Sequence, residues 1–210
     1  METRERIQVK AQELFMRYGV RSVSMDDIAA QLGMSKKTIY QFYADKDELV
    51  DAVVVNEVSN IECDCTSCLV DAKDAIHEIF LTMERILEQM RNINPMVLYD
   101  LEKFHYKAFQ RFQKHKQEFV GKIIAGNIER GIKEELYRPE VNVDIMAKFR
   151  IETMMFPFNI DLFPPKKFNA AEVAQEIIEH FVYGLATAKG HKQIQKYKLE
   201  FHKKISSNEK

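Results

Sequence analysis

SMDDIAAQLGMSKKTIYQFYADKDEL, residues 24–49, is the stretch whose reading decides the fold. Ser24 offers a hydroxyl to the free amides of a helix beginning at Met25, and Asp26 and Asp27 set negative charge on the positive end of that helix. Ile28, Ala29 and Leu32 share one face, and Ala29 is small enough for a second helix to cross closely. Gly33 permits the left-handed backbone that ends a helix. Ser35 caps the next one, Ile39 and Phe42 point inward, and Lys36, Lys37, Thr38, Tyr40 and Gln41 fall on or near the outer surface. Two helices joined by a tight turn, the second with polar and basic groups outward, are predicted to set phosphates and base edges within reach.

Upstream, Ile7, Ala11, Leu14, Phe15 and Tyr18 recur at helical spacing and stop at Gly19, which supplies the third side of a small core. The order of these residues resembles the tetracycline-repressor-like (TetR) family of bacterial regulators. The resemblance rests on Leu14-Phe15-x-x-Tyr18-Gly19, Ser24-Met25-x-x-Ile28-Ala29, Leu32-Gly33-Met34-Ser35, Thr38-Ile39-Tyr40 and Lys46-x-Glu48-Leu49, and it covers about the first fifty residues. Past them only length and helical layout match. The resemblance implies that Ser24 caps the second helix and touches phosphate, that Lys36, Lys37 and Thr38 enter the major groove, and that Tyr40 and Lys46 hold the DNA backbone. Lys46 follows Asp45, an expected cap, so its ammonium and the helix amides are expected to face one anion. Phe42 stands where the family commonly has His or Tyr, so a polar backbone contact is missing there; Tyr43 follows it.

The chain has 210 residues and a formal net charge of −1, so affinity for DNA has to come from a local basic surface rather than from the whole molecule. The opening METRERIQVK is charged, and no apolar run reaches membrane-spanning length, which points to a cytoplasmic protein with no membrane partner. The expected architecture is all-α with about nine helices. Residues 1–46 form the helix-turn-helix domain, 47–190 a larger effector-binding and dimerisation domain, and 191–210 a basic, solvated tail.

Within the larger domain, helix four is expected from about Asp47 through Val58. A stripe of Ile76, Ile79, Phe80, Met83, Leu87 and Met90 marks the next helix, which ends before Asn92. Pro95 opens a short helix, and one long helix is expected to hold His105 through Ile128. Another should run from Val143 to Phe158, broken at Pro157, and a last one from Ala170 to Lys189. Helix-turn-helix proteins read DNA as symmetric pairs. The resemblance implies pairing through the last two helices, where Ile177, Ile178, Phe181, Gly184 and Leu185 are the expected homodimer contacts.

Met83, Met90, Tyr106, Phe109, Met154, Met155 and Phe158 are the candidate wall of an effector cavity, and their character favours a small lipophilic or aromatic ligand. Cys63, Cys65 and Cys68 offer an alternative, a metal- or redox-responsive regulator. At about 100° per residue Cys63 and Cys65 point to nearly opposite sides of a helix, so a shared ion requires a loop there. A helical interaction protein without ligand gating is the remaining alternative. No phosphate loop, nucleophile motif or HExxH pair occurs, so no catalytic residues, resident metal or cofactor are expected. The function expected is a homodimeric transcriptional regulator, a repressor, that binds an inverted repeat in double-stranded DNA and releases it when a small molecule binds.

Overall fold

The computed structural model describes residues 2–91 and 93–208, with side chains described through Phe201. The chain is all-α. Three helices build the N-terminal headpiece: α1 (Thr3–Tyr18), α2 (Met25–Leu32) and α3 (Lys36–Tyr40). A 26-residue helix, α4 (Lys46–Asp71), leads out of it. The body is built of α5 (Ala75–Met90), α6 (Met96–Phe104), α7 (Tyr106–His115), a π turn at Lys116–Val120, α8 (Gly121–Lys133), α9 (Val143–Thr153), a 3-10 turn at Phe156–Phe158, α10 (Ala170–Leu185) and α11 (Ala188–Asn208). Counting the unbroken Tyr106–Lys133 stretch as one rod gives ten helices among the described residues, one more than expected.

The caps are those that the residues dictate. Ser24 and Asp27 form a reciprocal capping box at the start of α2, and Gly33 ends that helix with φ 64°. Ser35, Asp45, Asp74, Asn142 and Asn169 each accept a backbone amide at the start of their helices.

Two apolar clusters hold the molecule. The first joins Ile7, Phe15, Ile28 and Ile39 of the headpiece and Leu49 of α4 to Val97 and Leu101 of α6 and Ala108 of α7. The headpiece core therefore continues into the body, past the boundary expected at residue 46. The second cluster is the body's own, built on Ile76, Met83, Ile128, Ile178, Phe181 and Leu185, and it extends to Ile194, Tyr197 and Phe201 of α11.

Several expectations are corrected here. Helix four does not end near the cysteines but runs through all three. α9 stops at Thr153 instead of Phe158. The last expected helix splits at Ala186–Thr187: the Arg138 amide donates to the Leu185 carbonyl at 2.9 Å, and the Thr187 amide donates to the Leu136 carbonyl at 2.9 Å. Beyond the break lies α11 rather than a solvated tail, because Ile194, Tyr197 and Phe201 are buried against the body. The side chains of residues 202–210, and Lys210 and Glu209 altogether, lie outside the described residues. Tyr18 is 48% exposed, beneath the Arg17 guanidinium, and does not belong to the headpiece core.

Candidate nucleic-acid interface

α3 is only five residues long, and its inner side is fixed by Ile39, which is fully buried. That anchoring leaves Lys36, Lys37, Tyr40 and Gln41 exposed and Thr38 half-buried on the outer side. The Ser35 hydroxyl accepts the Thr38 amide at 3.1 Å, and the two hydroxyls lie 2.8 Å apart. Ser35 and Thr38 thus brace one another at the helix start.

The charges differ in how free they are. Lys37 makes no ion pair among the described residues. Lys36 reaches Asp26 on α2 at 2.8 Å, and this hydrogen bond raises its ammonium pKa above the usual lysine value. Both groups are solvent-exposed, so the pair is weak and a phosphate can displace it. Ser24 is turned toward Asp27: its hydroxyl donates to the Asp27 carboxylate at 2.6 Å and accepts the Asp27 amide at 3.1 Å. The bond from the Ser24 hydroxyl, with a second from the Ser24 amide at 2.8 Å, holds the Asp27 carboxyl below its usual pKa.

Lys46 is placed differently from its expected role. Its ammonium donates to the Val20 carbonyl at 2.7 Å and lies 5.9 Å from the centre of the Phe15 ring. Burial there pushes its pKa below the usual lysine value, with Asp100, Asp47 and Asp27 opposing the shift. It stitches the start of α4 to the loop after α1. Tyr43 cannot replace the polar group missing at Phe42, because it is buried and its hydroxyl donates to the Arg4 carbonyl at 3.3 Å.

Two joints connect the headpiece to the body. In the first, the Asn94 amide donates to the Met16 carbonyl at 2.6 Å, and the Asp100 carboxylate accepts the Arg21 amide at 2.8 Å. The Arg21 guanidinium lies 4.8 Å from the centre of the Phe104 ring. The Asn94 side chain also accepts the Met96 amide at 2.9 Å, at the start of α6. Sequence reading missed these residues, although an Asp at position 100 between apolar Val97 and Leu101 was a signal. The second joint is the seam between α4 and α7. His105 Nδ1 meets Asp47 at 2.6 Å, Arg111 meets Asp51 at 3.1 Å, and Glu62 lies 3.2 Å from His115 Nε2 but off the angle of a hydrogen bond.

The family's DNA-binding model, "Bacterial regulatory proteins, tetR family", matches residues 7–53. Residues 7–53 are a TetR-type DNA-binding headpiece. Among curated proteins, an uncharacterized HTH-type transcriptional regulator of Bacillus subtilis, YvaF, is 25% identical over 167 residues, covering 78% of this chain and 86% of that protein. A TetR-family regulator from Agrobacterium tumefaciens shares the fold with a TM-score of 0.73 at 14% identity, over 88% of this chain and 97% of the other. A putative regulator from Saccharomonospora viridis, solved in complex with choline, gives a TM-score of 0.70 at 18% identity, also over 88% and 97%. The matched headpiece and the HTH-type regulator of Bacillus subtilis together mark the chain as a DNA-binding transcriptional regulator.

The other expected sites are more scattered. Of the candidate cavity wall, Met83 belongs to the body cluster and Phe109 packs on the headpiece-side cluster, while Tyr106 is 62% exposed. Met154, Met155 and Phe158 are half-buried, and Met90 lines a groove between the end of α5 and the loop preceding α10. Of the expected dimer contacts, Ile178, Phe181 and Leu185 are buried within the subunit, leaving Ile177 and Gly184 toward the surface. The helical course of α4 separates Cys63 (exposed), Cys65 (half-buried) and Cys68 (buried), so the loop that a shared ion requires is not formed. Burial pushes the Cys65 thiol up to about 11, away from reactive thiolate character. No helix among the described residues is long and apolar enough to cross a membrane.

Proposed function

We propose that the protein is a homodimeric repressor that binds an inverted repeat through Lys36, Lys37, Thr38, Tyr40 and Gln41, assisted by Ser24 and Ser35, and leaves it when a small molecule binds the body. The observation that carries this reading is the continuity of the headpiece core with α6 and α7: a shift in the body cannot leave the orientation of α3 untouched. Two recognition helices must sit about 34–36 Å apart to read successive major grooves, so a ligand that favours another separation weakens operator binding. Choline in the Saccharomonospora relative is a small molecule held by a protein of the same fold, and supports ligand response as the control.

The proposed dimer contact uses α9 and α10, with its residues revised from the sequence reading. Ile145 is 62% and Phe149 48% exposed on α9, and Phe149 stacks on Phe181 of α10 with ring centres 6.4 Å apart. Together with Ile177 and Gly184 they form an apolar face suited to a second copy. Lys46 is proposed to support DNA binding by holding the headpiece rather than by touching phosphate.

Selection of bound sites from a random duplex library at near-physiological salt tests the reading, with the Lys36→Ala/Lys37→Ala variant as control. A palindrome recovered by the parent protein and lost in the variant is the expected result. A folded dimer that enriches no sequence overturns it.

A further inference from the structure

We propose that the groove between the end of α5 and the loop preceding α10 is a binding site for a small amphiphilic organic anion, a carboxylate or phosphate monoester carrying a short hydrocarbon body. The proposal rests on the reading of the chain as ligand-responsive and names where, and by what chemistry, a ligand is held.

The groove has a volume of about 420 Å³, within the range that small-molecule sites occupy. Met90, Ile93, Pro157 and Phe163 supply apolar wall, and Arg91, Lys166 and Lys167 supply positive charge. None of these three cations makes an ion pair among the described residues, whereas Glu172 is the one carboxylate among the lining residues. Three unpaired cations against one carboxylate, beside apolar wall, fit an anionic head on an apolar body. A neutral lipophile leaves the cations unanswered, and a simple inorganic anion leaves the wall bare.

The wall is braced in advance. The Lys167 and Phe168 amides donate to the Pro164 carbonyl at 2.9 and 3.1 Å, the Phe163 amide donates to the Asn159 carbonyl at 2.8 Å, and the Phe163 and Phe168 rings meet edge to face at 5.4 Å. Asn169 already caps the first amides of α10, accepting those of Ala171 and Glu172, so the helix start is not what would attract the anion. The lysines are.

The position of the groove gives it a route to the headpiece. Ile93 and Pro95 line it, and Asn94 between them donates its amide to Met16 at the end of α1. A ligand that repositions this segment acts directly on the joint that holds α1, a shorter path than the one through α4.

Titration calorimetry with octanoate, octyl phosphate and octanol tests the site without DNA, so its failure is separable from failure of the operator reading. We expect both anions to bind the full-length protein at one site at least tenfold more tightly than octanol. Octyl phosphate binding more tightly than octanoate would mark the phosphate as the preferred head, and the reverse order the carboxylate. The Arg91→Gln/Lys166→Gln/Lys167→Gln variant, its fold checked by circular dichroism, should lose that preference, while Lys36→Ala/Lys37→Ala should keep it. Hydrogen exchange at the Asn94 and Gly19 amides should change at least fivefold on saturation with the tighter anion. Anions that bind no better than octanol, or a preference that survives in the triple variant, overturn the site; unchanged exchange at both amides overturns its link to the headpiece.

Discussion

The Asp100 carboxylate on α6 accepts the backbone amide of Arg21 at 2.8 Å, a bond that crosses from body to headpiece over 79 positions of sequence. Asp100 is 5% exposed, and its Oδ2 lies where a Cβ on Gly19 would come within 3.1 Å, so the loop after α1 is seated directly on it. Removing the carboxylate takes the partner from a part-buried bond, which costs about 0.5–1.5 kcal/mol. Asp100→Ala should lower the thermal midpoint by several degrees and speed hydrogen exchange across α1 and α2 before it affects α10. Uniform loss of protection across all helices would show that the joint is not local.

Lys46 separates a structural cation from a DNA-contacting one. Because its ammonium is committed to the Val20 carbonyl, Lys46→Ala should destabilise the protein by about 1–2 kcal/mol and leave the salt dependence of DNA binding nearly unchanged. Lys36→Ala/Lys37→Ala should do the opposite: stability within about 0.5 kcal/mol of the parent, and a slope of log affinity against log salt shallower by about 0.9 for each phosphate no longer neutralised. Measuring both quantities on both variants settles the assignment.

α11 is docked where Gly190 meets the chain before α9. A Cβ on Gly190 would lie 2.1 Å from the Leu136 carbonyl oxygen, and backbone cannot yield as a flexible side chain does. Gly190→Ala should cost about 1–3 kcal/mol, the usual penalty of overpacking, and expose Tyr197 to quenching. An unchanged unfolding midpoint in urea would show that α11 contributes little to the fold.

Asp74 makes that docking depend on acid. Burial pushes its carboxyl up, but hydrogen bonds from the Tyr197 hydroxyl at 2.7 Å, the His77 amide and the Gln193 amide group outweigh this and hold it below the usual carboxylate range. A depressed folded-state pKa contributes stability that is fully present above the unfolded value, about 3.9, and is lost as pH falls through the folded value. Near-ultraviolet circular dichroism should report loosening of Tyr197 below about pH 4. Asp74→Asn should be less stable at pH 7 and show a flatter acid limb; an acid limb identical to the parent's would exclude Asp74 as its source.

The cysteines should prove dispensable for DNA binding. With the Cys65 thiol pushed up to about 11 by burial, roughly a thousandth of it is thiolate at pH 8, and alkylation there should lag far behind exposed Cys63. Replacing Cys63, Cys65 and Cys68 with serine should leave operator affinity unchanged. Loss of an effector response in that variant would restore the redox reading.

Local chemistry made much of the headpiece legible. The capping box at Ser24, the left-handed Gly33 and the Ser35 cap are each properties of a few adjacent residues, and the apolar spacing of α1, α2 and α5 follows directly from one buried face. The outer face of α3 was readable for the same reason. The fate of Lys46 was not, since a lysine after an N-cap looks the same whether its ammonium meets a phosphate or the carbonyl of Val20, 26 positions away. The expected dimer stripe was no easier to assign: Ile178, Phe181 and Leu185 are buried within the subunit, and periodicity identifies a buried face without saying whether its cover comes from the same subunit.

By itself, then, the sequence determined the helical character of the chain and the TetR-type headpiece with its caps and turn, because each depends on neighbours within a turn or two of helix. Tertiary structure alone decided where the C-terminal helix breaks. Leu185-Ala186-Thr187-Ala188 contains neither proline nor glycine, and the one local sign of a new start, the Thr187 hydroxyl that accepts the Gly190 amide at 3.1 Å, does not by itself stop the helix. It stops because the segment at Leu136–Arg138 takes the Leu185 carbonyl and offers the Leu136 carbonyl to Thr187. The same holds for the joints at Asn94 and Asp100. Hydrogen bonds between distant segments follow from how packed helices are brought together, and only the folded core fixes that.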